Sequence, residues 1–316
     1  MEKISKRTRS FNSLILNHSK GIVTKKSDNK EKIKQELLWY LNLPAGLKKY
    51  SPKLIDYENS KTNVGYSLEL CSYPTLADLF VNLSLDLKSW EKVIGELFEI
   101  INLFKKYKKN LPYISYRYMY YEKIIERLNE LKKEKYWKDL LNEKYIYINK
   151  KKYKNINLIL EKIKKTVDLL FDKNEMSFVH GDLCLSNILY DKKKKVFKFI
   201  DPRGSFGEIS NYGDIKYDIA KLRHSFHGFY DFIMNDLFEI EEKGKNFDFI
   251  IFVKKNHLKI ADLLDREVIK RGYDLRKISI IESLLFLSMV PLHRESFRRQ
   301  KAMFLSGIKL INEAIF

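Results

Sequence analysis

The chain has 316 residues, 45% of them hydrophobic, with 60 Lys and Arg against 41 Asp and Glu, a formal net charge of +19. That length and apolar share can bury a large core, which excludes a disordered chain and suits one large domain or a two-lobed unit. The two cysteines, Cys71 and Cys184, are too few for a disulfide framework and too far apart for a metal pair, so they fit a reducing compartment.

The N-terminal stretch "MEKISKRTRSFNSLILNHSK" has a basic start but a short apolar run, and nowhere do about 18 apolar residues follow one another. The expectation is a cytoplasmic protein. Residues 11–26 and 62–70 read as strands, with a helix at 28–42 carrying the apolar series Ile33, Leu37, Leu38, Tyr40 and Leu41. From Pro74 the pattern is mainly helical: "TLADLFVNL", then 89–108, then a Tyr- and Lys-rich stretch over 115–172. The segment 178–204, "FVHGDLCLSNILYDKKKKVFKFIDPRG", interrupts the helices with short strands and turns, and helices resume at 215 and run to the C-terminus. Asp214 and Asp218 are expected to cap and anchor the first of these. The aromatic run "YISYRYMYY" at 113–121 has helical spacing and is expected to be core.

The basic charge raises a nucleic-acid reading. Against it, 48 of the 60 basic residues are Lys, spread along the whole chain. The run "KKKK" at 192–195 falls between two predicted strands, where a solvated hairpin turn is expected. A nucleic-acid partner is therefore not expected. His224 and His227 lack further ligands at zinc spacing.

The segment 178–204 concentrates the chemistry. Asp182 and Asn187 are separated by four residues, and Asp201 follows after a hairpin-sized interval. Carboxylate and amide oxygens on rigid strand ends suit Mg²⁺, which takes such ligands together with substrate phosphates. The spacing His180-Gly181-Asp182, Asn187, Asp201 is that of a protein-kinase catalytic loop followed by a second metal-binding Asp.

"HGDLCLSNIL" followed by "FIDPRG" resembles the aminoglycoside phosphotransferase and choline kinase family, and kinase-like proteins of surface-polysaccharide biosynthesis among its relatives. "GIVTKKSD", "LPAGLKKYSPKLIDYE" and "YGDIKYDIAKL" extend the likeness over most of the chain. The resemblance implies an α+β, protein-kinase-like two-lobed fold, with a nucleotide-binding lobe at 1–70 and a catalytic and acceptor-binding lobe at 71–316. The stretch 112–172 would be a helical insertion. It implies transfer of a phosphoryl group from ATP, with Mg²⁺, to a hydroxyl of a small molecule.

Carried over by position, the resemblance makes Asp182 the catalytic carboxylate, Asn187 and Asp201 the metal ligands and Lys25 the phosphate-contacting lysine. Strand alternation prefers Lys25 to Lys26, which stays open. The partner carboxylate of that lysine is Glu36, with Glu31 as second choice. "SLELCSY" would be the hinge, with backbone groups of Glu69 and Cys71 on the adenine edge. His180 is expected to fix the loop rather than move protons. No Gly-rich phosphate loop is present, so backbone N–H groups around Ser10–Ser13 would cradle the phosphates.

Arg203 in "DPRG" is a candidate for holding an anionic group on ATP or on the acceptor, with an internal salt bridge as the equal alternative. Residues 273–316 hold seven basic and four acidic side chains, a difference of +3, and "HRESFRRQ" places three of the chain's 12 Arg within six residues. Arg294 and Arg298 are thus further acceptor-binding candidates, and the acceptor is expected to be a neutral or anionic hydroxyl compound such as a sugar. Two other classes share some of these features: a regulatory protein kinase or pseudokinase, and a basic nucleic-acid-binding protein.

Overall fold

A computed structural model gives the architecture and describes residues 2–3, 12–60, 64–207 and 210–316. The N-terminal region is a five-stranded antiparallel sheet in the order β1 (Glu2–Lys3), β2 (Asn12–Asn17), β3 (Ile22–Ser27), β5 (Val64–Glu69), β4 (Leu54–Asn59). The single strand expected over 11–26 is a hairpin. Asn17 Oδ1 accepts the Ser19 hydroxyl and the Lys20 N–H, and Gly21 takes φ +62°, so the chain reverses between β2 and β3. The predicted phosphate cradle falls partly on Ser10 and Phe11, which lie outside the described residues.

Between β3 and β4 runs α1 (Lys30–Leu41), capped by Asn29, whose side chain accepts the Lys32 N–H. Its buried positions, Ile33, Glu36, Leu37 and Tyr40, recur at helical spacing and lie against the sheet. Glu36 is a carboxylate on an otherwise apolar face, which marks it for a partner.

The C-terminal part is mainly helical. It opens with α2 (Leu76–Val81), started by a reciprocal cap between Thr75 and Asp78, and α3 (Leu87–Lys105). Next come α4 (Tyr113–Arg117), a π-helical turn at Tyr118–Glu122, α5 (Lys123–Leu131) and α6 (Lys135–Asn142). The expected helical insertion is then broken by the hairpin β6 (Tyr145–Ile148) and β7 (Lys151–Lys154), before α7 (Ile156–Leu170). "YIYI" alternates half-buried and buried residues, and Asn149 and Lys150 both take positive φ, 50° and 66°, as a tight two-residue hairpin turn requires.

After α7 the chain forms β8 (Met176–Phe178), the hairpin β9 (Ile188–Asp191) and β10 (Val196–Phe199), and β11 (Tyr212–Asp214), which pairs with β8. Lys192, Lys193, Lys194 and Lys195 form the exposed hairpin turn expected of them, with the Lys193 and Lys194 N–H groups on Asp191. Then follow α8 (Ile215–Phe226), α9 (Tyr230–Met234), the strands β12 (Phe238–Lys243) and β13 (Asn246–Ile251), and α10 (Lys255–Lys270), α11 (Leu275–Met289) and α12 (Phe297–Ile315). The expected unbroken run of helices from 215 is thus interrupted by the β12–β13 hairpin. β13 pairs in parallel with β6, joining the two hairpins into one four-stranded sheet. Such pairing between distant segments leaves no trace in local periodicity.

Every residue of α8 is buried, including Lys216, Asp218, Lys221 and Arg223. Helix α1 is tied to the C-terminal part by Trp39, whose indole N–H donates to the Val179 carbonyl at 2.8 Å, and by Asn211, which donates to the Leu38 carbonyl at 3.1 Å. In the aromatic run, Tyr116, Met119, Tyr120 and Tyr121 are core as expected, whereas Tyr113 and Ile114 at its start are exposed. Among the described residues, no helix is long and apolar enough to cross a membrane.

Candidate active site

The loop between β8 and β9 is held from below by one buried carboxylate. Asp218 accepts the backbone N–H groups of His180 at 2.7 Å and Gly181 at 2.8 Å, so it clamps the loop rather than capping its helix. The cap is Asp214, which accepts the Lys216 N–H. Burial pushes the Asp218 carboxyl up to about 7, against the pull of those two N–H groups. His180 is fully buried. Its Nδ1 accepts the Asp182 N–H at 3.3 Å, which leaves Nε2–H to donate to the Ile200 carbonyl at 3.0 Å. These partners assign the neutral tautomer, and burial pulls the imidazole down to about 4. The loop-fixing role expected of His180 matches these contacts.

Asp182 leaves this loop with its side chain 40% exposed and one oxygen on the Lys221 ammonium at 2.8 Å. Burial alone would raise its pKa. The ammonium of Lys221 and then the Arg203 guanidinium outweigh that and hold the carboxyl well below the usual range. Asn187 donates from its side-chain amide to the Asp182 carbonyl at 2.9 Å, which turns its Oδ1 away as a free oxygen donor. Across the β9–β10 hairpin the Asn187 carbonyl accepts the Ile200 N–H at 3.0 Å, fixing the distance between Asn187 and Asp201 along the hairpin.

Asp201 adopts a left-handed backbone, φ +55°, a conformation Asp tolerates better than most residues and one found at strained functional positions. Two residues on, the Arg203 N–H donates to the His180 carbonyl at 2.9 Å, so the two loops are stitched together. Gly204 then passes against α1: with φ +69°, a Cβ there would stand 2.0 Å from the Gln35 carbonyl oxygen.

Lys25 reaches the same place from β3. It is 5% exposed, whereas Lys26 faces solvent. Its ammonium lies 2.7 Å from Glu36 Oε2 and 2.8 Å from Asp201 Oδ1. Burial alone would lower the lysine pKa, and the charges of Asp201 and Glu36 more than reverse this, leaving it raised. The alternation argument for Lys25 thus agrees with its burial, and of the two candidate carboxylates Glu36 meets it, held by the Tyr66 hydroxyl at 2.7 Å. Glu31 is exposed and lies on Gln35.

The end of β5 and the stretch after it place Glu69 and Cys71 at the end of the sheet. The Glu69 N–H is taken by the Lys53 carbonyl at 2.9 Å, and its carboxylate accepts the Lys53 N–H at 3.3 Å. No hydrogen bond among the described residues takes up the Cys71 N–H. Both thiols are free, and burial pushes Cys184 up to about 12, an inert packed side chain.

The acceptor candidates separate. Arg203 stands beside Asp182, donating to the Tyr217 hydroxyl at 2.6 Å rather than to a carboxylate. Arg294 pairs with Glu130 at 2.5 Å, Arg298 donates to the Phe238 carbonyl at 3.3 Å, and Arg299 clasps Asp236 with two nitrogens at 2.9 and 2.6 Å. Each is satisfied within the chain, so "HRESFRRQ" is not gathered onto Asp182. Arg294 lines a surface groove with Glu130, Lys133, Glu134, Phe297 and Gln300.

Sequence reasoning missed Asp218 as the loop clamp, Lys221 as the partner of Asp182, and Lys123. The signal for the first two was the density of charge in "GDIKYDIAKLRHSF", a helix whose apolar residues already occupy every face. Two charges three residues apart share one helix side, and Asp218 and Lys221 do.

Asn187 and Asp201 offer an amide and a carboxylate oxygen, a donor set that fits Mg²⁺. Among the described residues, no group of three or more His, Cys, Asp and Glu could hold a metal. A cation here would complete its shell from phosphates and water.

No family model and no curated protein matches this chain. Solved structures do. A thermostable mutant of an aminoglycoside phosphotransferase, in ternary complex with AMP-PNP and hygromycin B, aligns over 98% of this chain and 93% of its own at TM-score 0.57 and 11% identity. The GDP complex of aminoglycoside 2'-phosphotransferase-IIIa aligns over 99% and 92% at TM-score 0.56 and 14% identity. An ethanolamine kinase of Plasmodium vivax aligns over 100% and 81% at TM-score 0.51 and 15% identity. The chain shares their protein-kinase-like α+β fold.

Proposed function

We propose that the chain is an ATP- and Mg²⁺-dependent phosphotransferase that passes the γ-phosphoryl group to a hydroxyl of a small molecule, a sugar or a polysaccharide precursor, in the cytoplasm. The observation that carries the reading is the meeting of Lys25, Glu36 and Asp201 next to the loop that presents Asp182 and Asn187. The first pair, Lys25 and Glu36, comes from a region of sequence about 150 residues away from the stretch that holds Asp182, Asn187 and Asp201, and packing alone gives no reason to gather them.

In this reading the nucleotide lies between a lobe of residues 1–70 and a lobe of residues 71–316. The Glu69 carbonyl and the Cys71 N–H meet the adenine edge, since the Glu69 N–H is already engaged. Lys25 holds phosphate oxygens, with Glu36 and Tyr66 fixing its ammonium. Asn187 Oδ1 and the Asp201 carboxylate would hold Mg²⁺, which when bound neutralises phosphate charge. Asp182 orients the acceptor hydroxyl in line. A carboxylate whose pKa is depressed by Lys221 is a weak base, so its main contribution is positioning, with the proton accepted late in a loose transition state.

The test is thermal. ligand that binds only the folded state raises the melting temperature. Mg·ATP is expected to do so, and Asp201→Ala to remove the part that depends on Mg²⁺. Absence of any shift in the intact protein would overturn the reading.

A further inference from the structure

We propose that Lys123 and Arg203, converging on Tyr217 beside Asp182, bind an anionic group, a phosphate or carboxylate, carried by the hydroxyl acceptor itself. This deepens the phosphotransferase reading and rests on it.

Lys123 opens α5 and is 7% exposed. Its ammonium lies 5.8 Å from the centre of the Tyr217 ring, and among the described residues its one hydrogen-bond partner is the Met119 sulfur at 3.7 Å. The Arg203 guanidinium lies 5.9 Å from the same ring and donates to the Tyr217 hydroxyl. Among the described residues neither cation has an ion-pair partner. A buried lysine is rare without a carboxylate.

The surrounding charges do not supply one. Arg203, Lys221 and Arg127 act on Lys123 as like charges, and Asp182 is the carboxylate that opposes them. Asp182 is already committed to Lys221, and Arg127 has Glu130 at 4.0 Å. Basic side chains thus outnumber carboxylates around a site assigned to the acceptor hydroxyl. An anion would complete it.

Two further observations point the same way. The π-helical turn Tyr118–Glu122 ends at Lys123 and re-aims the helix by one residue there, a device that recurs at functional sites. The three groups come from α5, α8 and the loop after Asp201, with none from the N-terminal sheet that supplies Lys25. Burial, and then the like charges, hold the Lys123 pKa well below that of a free lysine. Binding an anion restores the charge and takes up a proton.

Sulfate, fully ionised near neutral pH, is the probe. With saturating Mg·AMP-PNP present, titration calorimetry in two buffers of different ionisation heat is expected to show sulfate binding with proton uptake. Lys123→Met is expected to weaken that binding roughly tenfold or more and abolish the uptake, while raising the melting temperature because a buried amine without a strong hydrogen-bond partner is removed. Lys123→Gln serves if the Met variant does not fold. Sulfate binding that Mg·AMP-PNP displaces would assign the cations to the nucleotide's γ-phosphate and overturn the proposal. So would unchanged sulfate binding in both variants, or no sulfate binding at all. Failure of Mg·AMP-PNP to bind is a separate result, which would overturn the phosphotransferase reading.

Discussion

Lys25 and Asp201, 176 residues apart in sequence, meet at 2.8 Å, with Glu36 completing a buried arrangement of one ammonium between two carboxylates. Removing Lys25 leaves Glu36 with the more distant Lys32 ammonium at 3.6 Å, and breaking a buried pair costs about 3–5 kcal/mol. Glu36 is 1% exposed and Asp201 is half-exposed, so most of that cost falls on Glu36. Lys25→Met is therefore expected to lower unfolding free energy by about 3 kcal/mol in denaturant titrations. Adding Glu36→Gln to that variant should recover part of it. Additive loss in the double variant would show that the two residues are not coupled.

Asp182→Asn separates chemistry from binding. Nucleotide affinity should stay within a few fold, because the metal and phosphate contacts are assigned to other residues. Turnover should fall by roughly two to four decades, the range for loss of a positioned acid-base group. Parallel loss of ATP affinity would make Asp182 a structural or metal residue.

The buried imidazole of His180 gives a pH signature. Its folded pKa, about 4, lies below the unfolded 6.5. The unfolded chain therefore binds the proton first as pH falls, and stability from this group is present above about 6.5 and lost toward about 4. The difference of about 2.5 units corresponds to roughly 3 kcal/mol. Asp218, raised to about 7, works in the opposite direction over much of this window, so the wild-type profile shows only their difference. His180→Gln should remove the acid-side loss, seen as a smaller decline in unfolding free energy between pH 6.5 and 4 than in wild type. Parallel profiles would contradict the neutral, buried histidine.

Gly204 lies at the contact between the Asp201 loop and α1. A Cβ there would meet the Gln35 carbonyl on a backbone already at φ +69°. Gly204→Ala is expected to cost more than about 1 kcal/mol, whereas Gly244→Ala, whose Cβ would meet nothing within 4 Å, should cost less. Both changes carry the positive-φ strain, so the difference in chemical denaturation isolates the contact with α1.

Much of the site was legible because its spacing is local. Asp182, Asn187 and Asp201 lie within 20 residues around one hairpin, and strand alternation preferred Lys25 to Lys26 once the resemblance had pointed to a lysine on that strand. What was not legible is what tertiary packing alone creates. Lys221 finds Asp182 through the burial of α8, and Asp218 reaches back to the loop across 38 residues. The Arg-rich "HRESFRRQ" looked available because sequence does not reveal Glu130 and Asp236 opposite it. The hairpin at 145–154 was hidden by a Tyr- and Lys-rich composition shared with its flanking helices, and its pairing with β13 is with a segment about 100 residues away.

Phosphoryl transfer at Asp182 is read by the release of ADP. Purified protein with Mg·ATP should be offered a panel of hydroxyl compounds spanning sugars, sugar phosphates, hydroxy acids and polycationic aminoglycosides, with Asp182→Asn as the blank. Acceptor-dependent ADP release is expected from the sugar-like or anionic members, absent from the blank and weak with the polycations. ADP release that is equal in the two proteins, or fastest with aminoglycosides, would contradict it.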